Sequence, residues 1–288
     1  MSEDAGNPAV QARRLRAALR QARQEAGLTQ EQVAAALEWS LSKIVRIERG
    51  PTKPGITDVR ALLGQYKIND AAQVNQLVEM ARQARKRPWW HAYKGYASDR
   101  YLEFVEFEHA AQATLHVQPL WVPGILQTRE YATAIIWRLA RDLTPEKADG
   151  LLELRMHRQK LLEQPDPPPQ SFVIDESVLR RRVESEKVMA AQLDRLIELA
   201  ARPAVTIQVL PFSAGPAYGM QTSFVIHKLA DEDDLDVLYL EGPRGDTIVA
   251  DDVAEIRRYE RAFEELQQMA LSAADTVTFI KELRSAMQ

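Results

Sequence analysis

Residues 15–50 read LRAALRQARQEAGLTQEQVAAALEWSLSKIVRIERG, and this stretch decides how the N-terminal part of the chain folds. Apolar residues recur at helical spacing among many arginines until Gly27, a residue type that often follows the end of a helix. Thr29 and Gln32 form a capping box, which predicts the start of a second helix. Ser40 is another N-cap, so the pattern predicts a third, short helix after it.

The connection between the second and third helices is very tight, because only Glu38 and Trp39 lie between them. Ile44 and Ile47 face inward on the third helix, and Gly50 is expected to end it. Two short helices in this arrangement predict a helix-turn-helix whose last helix enters the major groove of double-stranded DNA. The alternative is an ordinary alanine-rich helical hairpin, which would not require caps, apolar spacing and final glycine to agree.

Four features of this stretch resemble the XRE-type (lambda-repressor-like) helix-turn-helix proteins. They are G-L-T-Q at residues 27–30, the alanine-rich helix after it, Ser40, and I-E-R-G at residues 47–50. The resemblance covers residues 10–67 and implies a transcriptional regulator that binds DNA.

The same resemblance implies roles for particular side chains. Arg23 and Glu48 are expected to form a structural salt bridge between the first helix and the recognition helix. Gln30 occupies the position of a side chain that contacts phosphate. The family usually carries glycine where this chain has Glu38, and this departure predicts a slightly strained turn.

Direct reading of bases requires side chains on the exposed, N-terminal part of the recognition helix. Arg46 can pair bidentately with guanine, which is worth roughly 1–3 kcal/mol of discrimination between bases. Leu41 can meet a thymine methyl group, and Ser42 can donate or accept a hydrogen bond. For each candidate the alternative is a solvated surface residue. The predicted DNA-binding residues are Gln30, Ser40, Leu41, Ser42, Lys43, Arg46 and Lys53.

The charge of the chain is divided unevenly along its length. Residues 1–94 contain 16 Lys and Arg against 9 Asp and Glu, whereas residues 95–288 contain 21 against 32. A basic N-terminal part joined to an acidic remainder is expected when only the first part meets phosphate. The absence of an apolar leader and of a membrane-spanning run predicts a cytoplasmic protein, associated with the nucleoid when it binds DNA.

The length of 288 residues suits two domains. We predict an all-α helix-turn-helix bundle over residues 1–87, a linker over residues 88–98 and a sensing or partner-binding domain over residues 99–288. In that last segment, alternating apolar residues predict a four- to five-stranded antiparallel sheet flanked by helices. The fold class is therefore α+β.

Three segments of the second part are similar to the actinobacterial Scr-type antitoxin-like (WhiJ-like) family. They are YLEFVEFEHAA at residues 101–111, VPGILQTREYA at residues 122–132, and PFSAG at residues 211–215. The resemblance implies a regulator whose second domain senses an effector or binds a partner, often a small acidic protein encoded beside it. Family members commonly carry histidine in the loop where this chain has Tyr218, so a histidine-dependent role there is not expected.

Catalytic and metal-binding patterns are not apparent in the sequence. There is no cysteine, and the five histidines lack the spacing of metal ligands. We therefore expect no cofactor, no metal site and no enzymatic activity. We instead predict a pocket rimmed by two turn segments and by Trp121, Phe212, Tyr218 and Met220. The alternative is that these residues only form turns and core.

The sequence as a whole predicts a sequence-specific DNA-binding transcriptional regulator, acting as a homodimer, with a C-terminal domain that senses a small-molecule effector or a partner. One alternative is an antitoxin-like protein that sequesters a small acidic partner protein and regulates its own operon. A second alternative is an enzyme tethered to DNA. Whether the last two helices form the dimer interface or cover their own domain is left open by their apolar stripes.

Overall fold

The structure is a computed structural model that describes residues 8–49, 53–139, 143–229, 236–242, 245–250 and 252–287. It divides into two compact units, Met1–His91 and Ala92–Gln288. The division falls within the segment predicted to be a linker. No helix in the described residues is both long enough and apolar enough to cross a membrane.

The described residues of the first unit form five α-helices around one apolar core. Leu15 and Leu19 of the first helix, Val33 of the second and Ile44 of the third are buried in this core. The five helices are α1 (Pro8–Glu25), α2 (Gln30–Ala36), α3 (Leu41–Arg49), α4 (Ile56–Gln65) and α5 (Ala71–Ala84).

The predicted capping box at the start of α2 is present. The Thr29 hydroxyl accepts a hydrogen bond from the Gln32 amide at 3.2 Å, and the Gln32 side chain accepts one from the Thr29 amide at 2.8 Å. The Lys43 amide donates to the Ser40 hydroxyl at 3.3 Å, as expected for a cap at the start of α3. Gly50, predicted to end that helix, lies outside the described residues.

Glu38 stands at the turn between α2 and α3 with a positive φ of 54°. A side chain with a Cβ is disfavoured in this left-handed region, which glycine adopts at little cost. Glu38 therefore adopts a backbone conformation that glycine usually adopts in turns of this kind.

The second unit combines seven α-helices with six strands in its described residues. The helices are α6 (Asp99–Ala110), α7 (Arg129–Leu139), α8 (Pro145–Arg158), α9 (Glu176–Arg180), α10 (Glu186–Ala200), α11 (Val253–Met269) and α12 (Ala273–Ser285). The strands are β1 (Ala113–Gln118), β2 (Gln170–Asp175), β3 (Val205–Leu210), β4 (Phe224–Lys228), β5 (Val237–Leu240) and β6 (Thr247–Val249).

These six strands form one mixed sheet in the order β3-β2-β1-β4-β5-β6. Strands β1, β2 and β3 are parallel, whereas β4, β5 and β6 continue the sheet in antiparallel pairs. The α+β class is confirmed, but the predicted antiparallel sheet of four to five strands is wrong in its pairing and number. Helices α7 and α8 connect β1 to β2, and long helical connections of this kind allow neighbouring strands to run parallel.

Helices cover both faces of the sheet. On one face, Val117, Phe224 and Leu238 pack against Phe263 and Leu266 of α11. The opposite face carries Phe172 and Ile207, which belong to a second cluster with residues of α10 and α12. Burial on both faces accounts for three consecutive buried apolar residues in β2, Phe172, Val173 and Ile174.

The apolar stripes of the last two helices are used within the unit. Ile256 of α11 and Ile280 of α12 are 4% and 0% exposed. Leu283 and Met287 also pack against the core of the same unit. Of the two readings that the sequence left open, these contacts favour the one in which both helices cover their own domain.

Candidate nucleic-acid interface and a cavity in the second unit

The outward side of α3 carries three of the predicted base-reading residues. Leu41 is 41% exposed, and Ser42 and Arg46 are also exposed. Ile44 and Ile47, on the opposite side of the helix, are each 1% exposed. The helix therefore directs an apolar, a hydroxyl and a guanidinium side chain away from the unit, a set that can read base edges in a major groove.

Lys43 differs from its neighbours, because contacts within the unit hold its side chain. Its Nζ donates to Asp58 Oδ1 at 2.7 Å and lies 3.4 Å from the centre of the Trp39 ring. Partial burial acts to raise the pKa of Asp58, but hydrogen bonds from Lys43 and the Gly55 amide outweigh it and lower that pKa. The structure thus places Lys43 between α3 and α4, where it stabilises the unit.

Two further predicted contacts, Ser40 and Lys53, precede and follow α3 along the chain. Ser40 is exposed, and its hydroxyl lies 3.1 Å from that of Ser42. Lys53 is exposed just before α4.

Glu48 joins three helices of the first unit through its carboxylate. Arg23 of α1 donates to it from Nε at 2.7 Å and from Nη2 at 3.0 Å. Gln30 of α2 donates to the same carboxylate from Nε2 at 2.6 Å. The salt bridge that the XRE-type resemblance implied is thus present, and the structure adds Gln30 as a third member.

This network is shielded from solvent. The Glu48 side chain is 4% exposed and that of Arg23 is 13% exposed. The hydrogen bonds that Arg23 donates to Glu48 raise the pKa of Arg23, although burial opposes the shift. The arrangement fixes the position of Gln30 at the start of α2, next to the exposed side of α3.

The second unit encloses a cavity of about 710 Å³. Trp121, one of the four residues predicted to rim a pocket, lines it. Phe212, Tyr218 and Met220 are not among its lining residues. Phe212 and Tyr218 are instead 58% and 45% exposed, and Met220 packs near α11.

The sheet register explains how the polar end of this cavity forms. Val117 pairs with Phe224, and Phe224 pairs with Leu240, so β1 and β5 end at the same edge of the sheet. The residues that follow these pairs, Gln118 and Glu241, are therefore neighbours. Gln118 Nε2 donates to Glu241 Oε1 at 3.4 Å.

Arg158, which lines the cavity, belongs to a buried ion pair. Arg158 donates to Glu108 from Nε at 2.7 Å and from Nη2 at 2.6 Å, and its Nη1 donates to the Tyr101 hydroxyl. Arg158 and Glu108 are 4% and 0% exposed. Burial opposes ionisation of both groups, but their mutual attraction raises the pKa of Arg158 and lowers that of Glu108.

Two histidines of the second unit, His116 and His227, are buried, and His109 is partly buried. Burial lowers the pKa of His116 to about 4 and that of His227 to about 3, so both are neutral near pH 7. Burial likewise lowers the pKa of His109 to about 4. Within the described residues, no group of three or more histidine and acidic side chains could hold a metal ion.

Comparison with known proteins assigns a family to each part of the chain. Residues 14–77 match a helix-turn-helix domain. Residues 101–282 match the family described as a domain of unknown function (DUF5753). The chain belongs to the DUF5753 family.

Within this DUF5753 chain, the helix-turn-helix match covers the exposed side of α3 and the Glu48 network. The DUF5753 match covers the six strands and the cavity residues Gln118 and Glu241. No curated protein and no solved structure matches the chain with significance.

Sequence reasoning missed the polar residues of the cavity in the DUF5753 domain. Gln118 and Glu241 are far apart in the chain, and neither belongs to a recognisable motif. If the sequence had predicted that β4 lies between β1 and β5, with β1 and β5 running in the same direction, Gln118 and Glu241 would have been expected at one edge of the sheet. The available signal, alternation of apolar residues, predicts strands but not their order.

Proposed function

We propose that this chain is a sequence-specific DNA-binding transcriptional regulator of the XRE type that binds as a homodimer and uses its second unit to sense a small molecule. The observation that carries the proposal is the exposed side of α3, where Leu41, Ser42 and Arg46 project beside two inward-facing isoleucines. The helix-turn-helix match supports the DNA-binding part. The enclosed cavity supports the sensing part.

In this proposal the side chains of α3 have different roles in DNA recognition. Arg46 is long, exposed and able to donate two parallel hydrogen bonds to a guanine. Ser42 bonds a base edge, and Leu41 contacts a thymine methyl group. Lys43 contributes through its positive charge and through the position it holds against Asp58.

Gln30 and Lys53 hold the backbone on either side of the major groove. Hydrogen bonding to Glu48 fixes the Gln30 amide, and its second N–H is available for a phosphate oxygen. Lys53 supplies an exposed ammonium group before α4. Such contacts set the position of the protein but carry no sequence information.

A homodimer is proposed because helix-turn-helix proteins commonly bind two half-sites about one DNA turn, or roughly 34–36 Å, apart. A single copy of this chain carries one helix-turn-helix. Light scattering of the free protein and of its DNA complex measures the stoichiometry. A complex with one chain on each operator would contradict the dimer.

The test of base reading begins with selection of preferred sites from random DNA by the whole chain. Arg46→Ala should lower affinity for the selected site by roughly tenfold or more while changing affinity for random DNA far less. Arg182→Ala removes the same charge from an exposed position in the second unit and serves as the control. Equal losses on both DNAs for Arg46→Ala would exclude base reading by this residue.

Gln30→Ala tests the backbone contact in the same assay. It should weaken binding to selected and random DNA by a similar factor, because phosphate contacts are common to both. The affinity of the wild-type chain should also fall steeply as salt increases, through release of counterions. A salt-independent affinity would contradict the docking of α3 on DNA.

We assign the second unit a recognition role instead of a catalytic one. The cavity is lined mainly by apolar and aromatic side chains, together with polar groups that include Gln118, Arg155 and Glu241. This composition is typical of a site that binds a small organic molecule. Chemical turnover of a molecule that binds there would overturn the assignment.

A further inference from the structure

The cavity of the second unit has the size and wall chemistry of a binding site for one small organic molecule. Its volume of about 710 Å³ lies within the roughly 300–1,000 Å³ typical of such sites. Phe104, Trp121 and Ile135 contribute apolar and aromatic surface to its wall. These residues can cover the body of a ligand, while the identity of the ligand depends on the polar groups.

The position of the cavity in the sheet is also suited to binding. Strand β1 has parallel β2 on one side and antiparallel β4 on the other. In open sheets with helices on both faces, ligands commonly bind beyond the carboxyl end of a strand where the connections diverge. Gln118 is the last residue of β1, and Pro123 and Gly124 from the following loop line the same cavity.

Gln118 presents an acceptor that the described residues leave unsatisfied. The side chain is 4% exposed, and its Nε2 is used by Glu241. Its Oε1 is buried and has no hydrogen-bond partner among the described residues. A buried acceptor without a partner destabilises the site, so a ligand that donates a hydrogen bond to Gln118 relieves that cost.

Glu241 and Asp246 add negative charge at the same end of the cavity. Burial raises the pKa of Glu241, and the neighbouring charge of Asp246 raises it further. Asp246 accepts a hydrogen bond from the Tyr239 hydroxyl, which also lines the cavity. A positively charged group beside Glu241 would offset the repulsion from Asp246 and favour the ionised form of the Glu241 carboxyl.

Among the described residues, the charges of the cavity wall leave a negative excess. Glu108 neutralises Arg158 within the buried ion pair. Arg155 is then the other described cation of the wall, against the two carboxylates of Glu241 and Asp246. The balance favours a ligand that is itself positively charged.

We infer that this cavity binds a small organic amine, with its ammonium group at Gln118 and Glu241 and its apolar body against Phe104 and Trp121. The Nε of Arg155 is buried and has no partner among the described residues, while its Nη1 donates to Gln127 at 2.9 Å. An oxygen on the body of the amine can accept from this Nε. The inference deepens the sensing role proposed above and names the chemical class that is sensed.

The test uses sets of molecules that share one body and differ in the charge of the head. Tryptamine, tryptophol and indole-3-propionate carry an ammonium, a hydroxyl and a carboxylate on the same indole and linker. Hexylamine, hexanol and hexanoate form the matching aliphatic set. Calorimetry with the full chain should show that at least one amine binds roughly tenfold or more tightly than its alcohol and acid counterparts.

Variants locate the preference within the cavity. Glu241→Gln keeps the shape of the side chain and should remove the advantage of the amine over the alcohol. Glu146→Gln makes the same change at an exposed position at the start of α8 and should leave the advantage intact. Gln118→Leu should weaken the amine more than the alcohol, and circular dichroism should show that each variant is folded.

The inference is overturned if neither amine binds better than its counterparts, or if Glu241→Gln leaves the preference unchanged. Operator binding is measured separately on the same preparations. Loss of the amine preference with operator binding intact would remove this inference alone. Failure of operator binding with the amine preference intact would instead remove the proposed DNA-binding function.

Discussion

Arg23 donates two hydrogen bonds to Glu48, from Nε at 2.7 Å and from Nη2 at 3.0 Å, and thereby ties α1 to the recognition helix. The pair is shielded, since the Glu48 side chain is only 4% exposed. Arg23 Nη1 also donates to the Leu28 carbonyl at 2.8 Å. These hydrogen bonds therefore orient the end of α1, the start of α2 and the whole of α3.

Glu48→Ala should destabilise the first unit by about 3 kcal/mol, the lower end of the cost of breaking a buried pair by removing one partner. Thermal unfolding measures the change, and Glu25→Ala, at an exposed position of α1, is the control. DNA binding should weaken only as far as folding is lost. Tighter DNA binding with unchanged stability would show that Glu48 repels phosphate and has no structural role.

Glu38→Gly should stabilise the first unit by up to about 1 kcal/mol. Glycine relieves the positive φ of 54° but loses more backbone entropy on folding, so the net gain is small. Glu38→Val should instead lower the melting temperature, because a β-branched side chain is strongly disfavoured at this φ. A clear loss of stability in Glu38→Gly would show that the Glu38 side chain contributes more than its backbone conformation costs.

The stability of the second unit should fall as pH decreases below about 6.5, the ordinary pKa of histidine. His116 and His227 are neutral when folded, with pKa values of about 4 and about 3, but bind protons when unfolded. Stability is therefore full above about pH 6.5 and is lost down to the folded pKa values. The charged groups that act on His227 are Glu108, whose pKa is lowered by Arg158, and Arg158, whose pKa is raised by Glu108.

His227→Leu isolates one of these contributions. Both ring nitrogens of His227 lack a hydrogen-bond partner among the described residues, so the substitution should not lower stability at neutral pH. Between about pH 6 and about pH 5 it should reduce the pH dependence of unfolding by about 1 kcal/mol per pH unit. Urea unfolding measures this, with the exposed His91→Leu as control; an unchanged slope would contradict a neutral, buried His227.

Arg158→Met should destabilise the second unit by about 3–5 kcal/mol, because it leaves the buried carboxylate of Glu108 without its partner. The double variant Glu108→Leu/Arg158→Met should lose much less, since neither charge remains buried. Arg129→Met breaks an exposed pair with Glu153 and should change stability by about 1 kcal/mol or less. Equal losses in the single and double variants would mean that shape, not charge, dominates at this position.

Local features of the first unit could be predicted because they depend on neighbours in the chain. The capping box of Thr29 and Gln32 lies within four residues, and the inward positions of Ile44 and Ile47 follow from helical periodicity. The helix-turn-helix is confirmed for the same reason. The restraint on Lys43 could not be predicted, because Asp58 comes from another helix and its distance depends on how α3 and α4 pack.

The sequence by itself determined the helix-turn-helix, where two of its short helices begin, and that a basic N-terminal part precedes an acidic remainder. Those properties arise from side-chain periodicity, capping chemistry and charge, which act over a few residues or simply add along the chain. Only the tertiary structure decided that β1 lies between parallel β2 and antiparallel β4. That choice brings Gln118 beside Glu241 and forms the polar end of the cavity, because strand order depends on the packing of helices against the whole sheet.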